Sequence, residues 1–224
     1  MEKNKTMRIA SLLLVAVLMT TCVISGTYAK YVTSGQVDDT ARVAKFGVKV
    51  TASSDLFSKT YTKNDSTFEK TYSVVSSDDD KVVAPGTTGS ISAASLTGTP
   101  EVAVRVSYKN VNLDLGSNWK VGDDYYCPLV ITVNGTDYSG MDYESAAKFE
   151  EAVEGVISNV TADFEANTDL STAGTSGAVA VKWSWPFYVS DESDEKDTSL
   201  GDAAANGTDI EVALSYDVTV TQID

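Results

Sequence analysis

Strict alternation of apolar and polar residues is the feature of this sequence that most limits its possible folds. Residues 209–222, "DIEVALSYDVTVTQ", carry an apolar side chain at every second position from Ile210 to Val220. The alternating set is Ile210, Val212, Leu214, Tyr216, Val218 and Val220. A period of two places all six on one face of an extended strand. This pattern is typical of half-buried strands in antiparallel sheets.

The same period recurs along the chain. It places Val102, Val104, Val106 and Tyr108 on one face, and Val179, Val181, Trp183 and Trp185 on another. Asn134-Gly135 supplies the positive φ angles of a two-residue hairpin turn. Further strands are predicted within 43–51, 68–75 and 90–96. Because Trp183 and Trp185 share a face with valines, we expect them in the core rather than in a carbohydrate-stacking platform with Tyr188.

One segment has helical spacing instead. From Asp142 onward, the apolar residues Ala146, Phe149, Val153 and Val156 recur with a period near 3.6. The polar segments 76–81, 167–177 and 190–202 are predicted to be loops between strands. The expected fold is therefore an all-β, two-sheet antiparallel sandwich, jelly-roll or immunoglobulin-like, with one inserted amphipathic helix and a preceding N-terminal signal helix.

The first 29 residues have the layout of a secretory signal peptide. Lys3, Lys5 and Arg8 precede an uncharged apolar run at 9–24, and small residues follow it. Thr27 and Ala29 predict cleavage between Ala29 and Lys30. An uncleaved membrane anchor is the alternative, although the run is short for a full span. Lipidation of Cys22 is disfavoured because Thr21 precedes it.

This cleavage divides the chain into a signal peptide (1–29), a mature N-terminal segment (30–42) and a β-sandwich domain (43–224). Residues 1–29 hold three basic side chains and one acidic side chain, so 195 of 224 residues remain and the formal charge changes from −15 to −17. Such acidity argues against nucleic acid and anionic lipid as partners. The protein is then expected to contact the membrane only through its signal segment, before cleavage. Cys127 is the one cysteine left, so no internal disulfide is expected.

The absence of histidine restricts the possible chemistry. It excludes the HExxH zinc-protease motif, Ser-His-Asp and Cys-His systems, and the usual proton shuttle at neutral pH. The Ser-x-x-Lys pattern occurs three times, starting at Ser117, Ser145 and Ser193, without its companion motifs. We interpret it as coincidence, and Cys127 as a small buried hydrophobe. No catalytic residue and no cofactor are predicted.

Acidic residues between positions 191 and 202 suggest one possible metal site. Asp191, Asp194 and Asp197 are candidate calcium ligands, because carboxylate oxygens suit this ion. The EF-hand spacing with its central glycine is missing, and a solvated connection between strands is the favoured interpretation.

Three motifs point to a family. The signal "ISGTYAKY", the turn "APGTTGS" at 84–90 and the last strand, which ends in Thr221-Gln222, resemble the TasA/camelysin family of exported Gram-positive proteins. Gly26, Thr27, Tyr28 and Ala29 match the end of the family signal, Pro85-Gly86 its turn, and "DTSLGD" after "WSWPF" looks like a recurring element. The resemblance implies processing by a SipW-type signal peptidase and a jelly-roll subunit of extracellular biofilm-matrix fibres. Camelysins are also described as metalloproteases. We do not extend this activity to the present chain, because it has no histidine.

The resemblance further implies assembly by donor-strand exchange. Cleavage after Ala29 would free Lys30, Tyr31, Val32 and Thr33, and Tyr, Val and Thr favour extended backbone. In this hypothesis the freed segment of one copy completes an open sheet edge of the next copy, or of a related matrix subunit. A frayed terminus, or a first strand of the same subunit, is the open alternative. A monomeric adhesin or ligand-binding module, with or without calcium, is the second functional hypothesis, and a camelysin-type protease is the third.

Overall fold

The computed structural model describes residues 41–51, 56–65, 70–78, 80–91, 95–173 and 178–223. Contacts divide the chain after Arg42, and all the elements below belong to the unit Val43–Asp224. The predicted signal peptide, its cleavage residues Thr27, Ala29 and Lys30, and the candidate donor residues Lys30–Thr33 lie outside the described residues. No helix among the described residues has the length and apolar character needed to cross a membrane.

Strands account for most of the regular structure. In chain order they are β1 (Lys49–Thr51), β2 (Thr60–Asp65), β3 (Lys70–Val75), β4 (Thr88–Ile91), β5 (Ser95–Thr97), β6 (Val104–Asp114), β7 (Lys120–Val121), β8 (Asp124–Tyr125), β9 (Val130–Val133), β10 (Thr136–Ser139), β11 (Thr161–Phe164), β12 (Val181–Ser184) and β13 (Ala213–Gln222). The helices are α1 (Ala146–Ser158), α2 (Leu170–Ala173) and α3 (Asp191–Ala205), with a 3₁₀ turn at Gly140–Asp142.

Two larger sheets dominate this architecture. One has the strand order β10-β9-β12-β4 and the other β11-β6-β13, while β1-β5, β2-β3 and β7-β8 form two-stranded pairs. Every strand pairing in the described residues is antiparallel. The prediction of a mostly β, antiparallel, sandwich-like fold is confirmed at this level.

Alternating side chains of the larger sheets supply much of one core. Val104 and Val106 of β6, Ile131 and Val133 of β9, and Val181 and Trp183 of β12 are buried in one cluster. The N–H of Val179 donates to Oη of Tyr108 over 2.9 Å, which links the lead-in to β12 with β6. Trp183 and Trp185 are 3% and 5% exposed, so their predicted core position is confirmed.

The predicted amphipathic helix is present as α1. Ser145 is its N-cap and accepts a hydrogen bond from the N–H of Lys148, which explains why the helix begins at Ala146 rather than near Asp142. Phe149, Val153 and Ile157 are its buried residues, at the spacing of one helix face.

Helix α1 also protects part of β6. The strand β11 pairs with β6 only over Val104–Ser107. Further along β6, Glu154 Oε1 accepts from the N–H of Leu113 and Glu150 Oε1 from the N–H of Leu115, both over 2.9 Å. These glutamates satisfy two backbone donors near the end of β6.

The prediction of a single helix is wrong, because the acidic segment 190–202 is not a loop. It forms most of α3, a 15-residue helix. Ser190 accepts from the N–H of Ser193 as N-cap, and three acids in the first turn favour the positive end of the helix dipole. Ser193, Asp197 and Leu200 are buried on one face, which the acidic composition of the segment concealed. The short helix α2 likewise lies in the segment 167–177 that was predicted to be a loop.

Candidate functional site

The outer edge of β13 is the longest unpaired strand edge in the described part of the larger sheets. β13 has ten residues and pairs with β6 along its whole length. No described residue pairs with its other side. The other edge strands of these sheets, β4, β10 and β11, have four residues each. An edge of this length offers unpaired N–H and C=O groups to another chain.

The apolar face of β13 is only partly covered. Leu214, Tyr216, Val218 and Val220 are half-buried against the core, as the predicted alternation requires. Their partners on β6 are buried, namely Leu113 opposite Leu214, Tyr108 opposite Val218 and Val106 opposite Val220. The ring of Tyr216 meets that of Tyr108 edge-on, with the ring centroids 5.7 Å apart. The core therefore thins toward the β13 edge and leaves apolar surface for a further strand to cover.

Two side chains bind the backbone just before β13. Just before β13, Asn118 Nδ2 donates to the carbonyl of Asp209 over 2.6 Å, and Trp119 Nε1 to that of Glu211 over 2.7 Å. Within Ala213–Gln222, the backbone pairing in the described structure is with β6 alone. Side chains thus satisfy two backbone acceptors just ahead of the strand.

A β-bulge on β6 interrupts its pairing with β13. The pairing register shifts between Ser215 and Asp217, and Asn110, at a φ of 50°, donates from Nδ2 to Asp217 Oδ2 over 2.7 Å. After the bulge, pairing continues without interruption from Asp217 opposite Lys109 to Gln222 opposite Val104. Asn110 and Val111 of β6 together oppose Tyr216, so the extra residue lies on β6 and the alternation of β13 continues across position 216.

The chain enters the domain close to the end of β13. Lys45 N–H donates to Glu101 Oε2 over 3.0 Å, and Glu101 N–H donates to the Lys45 carbonyl over 2.8 Å. Two residues further on, the carbonyl of Ala103 accepts from the N–H of Ile223, directly after β13. Lys45 is thus held near the C-terminal end of β13.

The candidate calcium ligands are not brought together. Asp197 is 8% exposed and accepts hydrogen bonds from Trp185 Nε1 over 3.0 Å and Tyr126 Oη over 2.8 Å. Asp191 is exposed and accepts from Tyr188 Oη. Among the residues that the structure describes, no group of three His, Cys, Asp or Glu residues is suited to a metal ion. Asp191, Asp194 and Asp197 are helix residues of α3, and Asp197 has a structural role.

Burial governs the electrostatics of Asp197. Removal from water raises the pKa of its carboxyl and is the largest cause. The hydrogen bonds from Trp185 and Tyr126 lower this pKa, and the charge of Asp194 raises it. The net result is a raised pKa. Tyr126 was not singled out from the sequence, since nothing in its local pattern indicates a partner 71 residues away.

The serines of two Ser-x-x-Lys patterns have structural partners. Ser145 caps α1, and Ser193 Oγ lies 2.6 Å from Ser190 Oγ at the start of α3. Lys148 pairs with Glu151, and this hydrogen bond raises the pKa of the amine. A lysine held in its charged form is unsuited to act as a general base.

Cys127 is the buried hydrophobe that the sequence predicted. It is fully buried, and desolvation raises the pKa of its thiol to about 12. A thiol with this pKa is unreactive at neutral pH.

Comparison of this chain with protein-family models, curated proteins and solved structures finds no significant match.

Proposed function

We propose that this protein is a secreted, non-catalytic structural protein, a TasA-like subunit of extracellular surface or biofilm-matrix fibres. The supporting observation is the ten-residue outer edge of β13, which no described residue pairs and whose apolar face is half-covered. Natural sheets usually shorten, charge or cover such an edge. A long edge left available is expected where another chain completes the sheet.

The proposed assembly begins with cleavage after Ala29 by a SipW-type signal peptidase. The freed residues 30–36 then add as a strand to a sheet of the next copy, or of a related matrix subunit. Main-chain hydrogen bonds supply affinity in this recognition mode, and alternate side chains set the register. Before cleavage the leader holds the segment at the membrane, so assembly is confined to the extracellular side.

The geometry of this contact favours a polymer. A terminus of one copy meets an edge of another, so the two contacting surfaces differ. Such heterologous contacts propagate into filaments unless the rotation between copies closes a ring. The finer fold that accompanies this proposal is a jelly-roll sandwich. The high negative charge of the mature chain keeps free subunits soluble by mutual repulsion.

Electron microscopy of two purified forms tests the proposal. One form begins at Lys30, and the other carries a folded tag directly before Lys30 that stops the segment from lying along a sheet. We expect filaments from the first form and dispersed particles from the second. Dispersed particles from both forms at high protein concentration would refute the fibre function.

A further inference from the structure

We propose that Asn134, in the turn between β9 and β10, is a site of spontaneous deamidation in the folded protein. The fold protects the other Asn-Gly pair, Asn206-Gly207, from the same reaction. The reaction needs only water, so it occurs whether or not the chain assembles as proposed above.

Asparagine followed by glycine is the sequence most prone to this chemistry, because asparagine is thermolabile and glycine has no side chain to hinder attack. The backbone nitrogen of the glycine loses its proton and bonds to Cγ of the asparagine. The bond from Cγ to Nδ2 breaks, and ammonia leaves. Water then opens the five-membered succinimide ring at either carbonyl. The product is aspartate or isoaspartate, and no electrons are exchanged with another molecule.

The sequence contains two such pairs, Asn134-Gly135 and Asn206-Gly207. Both asparagines are exposed to water. A Cβ added at either glycine would meet no atom within 4 Å beyond the neighbouring residues. Crowding therefore does not distinguish the two pairs, and the difference between them lies in their hydrogen bonds.

The attacking nitrogen is occupied at one pair only. The N–H of Gly207 donates to the carbonyl of Ala204 over 3.0 Å at the end of α3. The N–H of Gly135 donates to no residue that the structure describes. Because the Gly207 bond must break before its nitrogen loses the proton, Gly135 is the better placed nucleophile.

The side chain of Asn206 is held as well. Its Nδ2, the atom that leaves, donates to the carbonyl of Asp202 over 2.8 Å, where Asn206 is the C-cap of α3. Among the described residues, Asn134 is held through Oδ1 alone, which accepts from the N–H of Ala180 over 2.8 Å. Negative charge develops on this oxygen when Cγ is attacked, and a donor to it stabilises that charge.

The two products differ in their effect on the hairpin. Asn134 and Gly135 have φ angles of 50° and 88°, as a two-residue turn between antiparallel strands requires. Aspartate at position 134 keeps an oxygen for the Ala180 N–H and leaves the main chain unchanged. Isoaspartate routes the main chain through Cγ and adds one carbon to a turn whose length sets the hairpin register. We expect only the isoaspartate form to weaken the fold.

Peptide mapping by mass spectrometry tests the assignment. The purified chain is incubated at mildly alkaline pH, folded in one sample and denatured by guanidinium chloride in the other. Digestion with pepsin at acid pH then limits further reaction. The variants Asn134→Asp and Asn206→Asp supply the aspartate standards, and fragmentation distinguishes isoaspartate. Both pairs are followed by threonine, so the two sites are closely matched in sequence.

In the folded chain we expect deamidation to be at least about tenfold faster at Asn134, because reaction at Asn206 requires two hydrogen bonds to break. In denaturant we expect similar rates, because neither bond is present. Equal rates in the folded chain, faster reaction at Asn206, or no reaction at Asn134 while the denatured sample reacts would overturn the assignment.

The products test the route and its consequence. Aspartate without isoaspartate at position 134 would overturn attack by Gly135, because direct hydrolysis of the side-chain amide gives aspartate alone. The isoaspartate form, separated by ion exchange, should unfold at lower urea than the native chain, whereas Asn134→Asp should unfold at the native midpoint. An isoaspartate form as stable as Asn134→Asp would overturn the expected effect on the hairpin.

Discussion

The indole Nε1 of Trp185 donates a hydrogen bond to the buried carboxylate of Asp197 over 3.0 Å. Trp185 follows β12, and Asp197 lies on α3, so the bond fastens the acidic helix to one of the larger sheets. Tyr126 Oη donates to the other carboxylate oxygen over 2.8 Å. Helix α3 is thus held by one of its own acids, together with Ser193 and Leu200.

We predict that Asp197→Ala lowers the free energy of unfolding by about 1–3 kcal/mol, because it leaves the buried Nε1 of Trp185 without its acceptor, while Tyr126 Oη keeps only the carbonyl of Ser193. Asp197→Asn retains a carbonyl oxygen and should cost less. Urea unfolding of the purified chain measures both changes. Glu195→Ala, at an exposed position of the same helix, is the control and should have little effect. An Asp197→Ala variant as stable as the Glu195→Ala control would contradict this role.

The contribution of Asp197 should depend on pH in a defined direction. Burial raises the pKa of its carboxyl above the ordinary value of 3.8, so the folded state holds the proton more tightly than the unfolded state. Stability from this group is then greatest below pH 3.8 and is lost as the pH rises through the elevated pKa. On acidification, the free energy of unfolding of the native chain should therefore rise relative to that of Asp197→Asn.

Asp163 supplies a control of the opposite sign for this titration. The hydrogen bond from Arg105 lowers the pKa of its carboxyl, so its contribution is lost as the pH falls through that lowered value. The stability difference between the native chain and Asp163→Asn should therefore shrink on acidification. The stability difference between the native chain and each Asn variant is plotted against pH. Equal slopes for Asp197→Asn and Asp163→Asn would contradict the opposite directions of the two pKa shifts.

Two glycines should respond in opposite ways to alanine. Gly135 has a φ of 88° in the hairpin turn between β9 and β10, a conformation that strains alanine by about 1–2 kcal/mol. Gly155 lies within α1, where an added Cβ meets no atom within 4 Å. Gly155→Ala should therefore stabilise the chain by about 0.5–1 kcal/mol. Thermal unfolding of both variants measures this, and shifts of the same sign would exclude the described turn.

The cover that α1 gives to β6 can be tested at Glu154. Glu154→Ala removes the acceptor of the Leu113 N–H, and we expect a loss of about 1–3 kcal/mol in the free energy of unfolding. Glu154→Gln keeps an acceptor oxygen and should recover most of the loss. Glu151→Ala, which removes only an exposed ion pair, is the control. If Glu154→Gln is as unstable as Glu154→Ala, the hydrogen bond from the Leu113 N–H does not account for the stabilisation by Glu154.

The period of two predicted much of this fold. The alternation at 210–220 agrees with the half-buried face of β13, and the helical spacing at 146–156 with α1. Helix α3 was missed because its many acids indicated a solvated loop. Its N-terminal signal, Ser190 followed by acids in the first turn, was present in the sequence. The partners of Asp197 had no sequence signal, since Tyr126 lies far away in the chain.

The edge position of β13 could not be predicted from its own residues. An edge strand and a central strand with one covered face show the same alternation. Only the sheet order, in which β6 lies between β11 and β13, identifies the edge. The sheet topology, and not the alternation, therefore identifies β13 as an edge strand of the described sheet.

Hydrogen exchange of the β13 backbone tests most directly whether another copy completes this sheet. Exchange is followed by mass spectrometry on chains beginning at Lys30, in filaments and as dispersed subunits. We expect slower exchange within β13 on assembly, and unchanged exchange in β10, whose edge serves as the internal reference. Filaments in which β13 exchanges as fast as in free subunits would contradict the account.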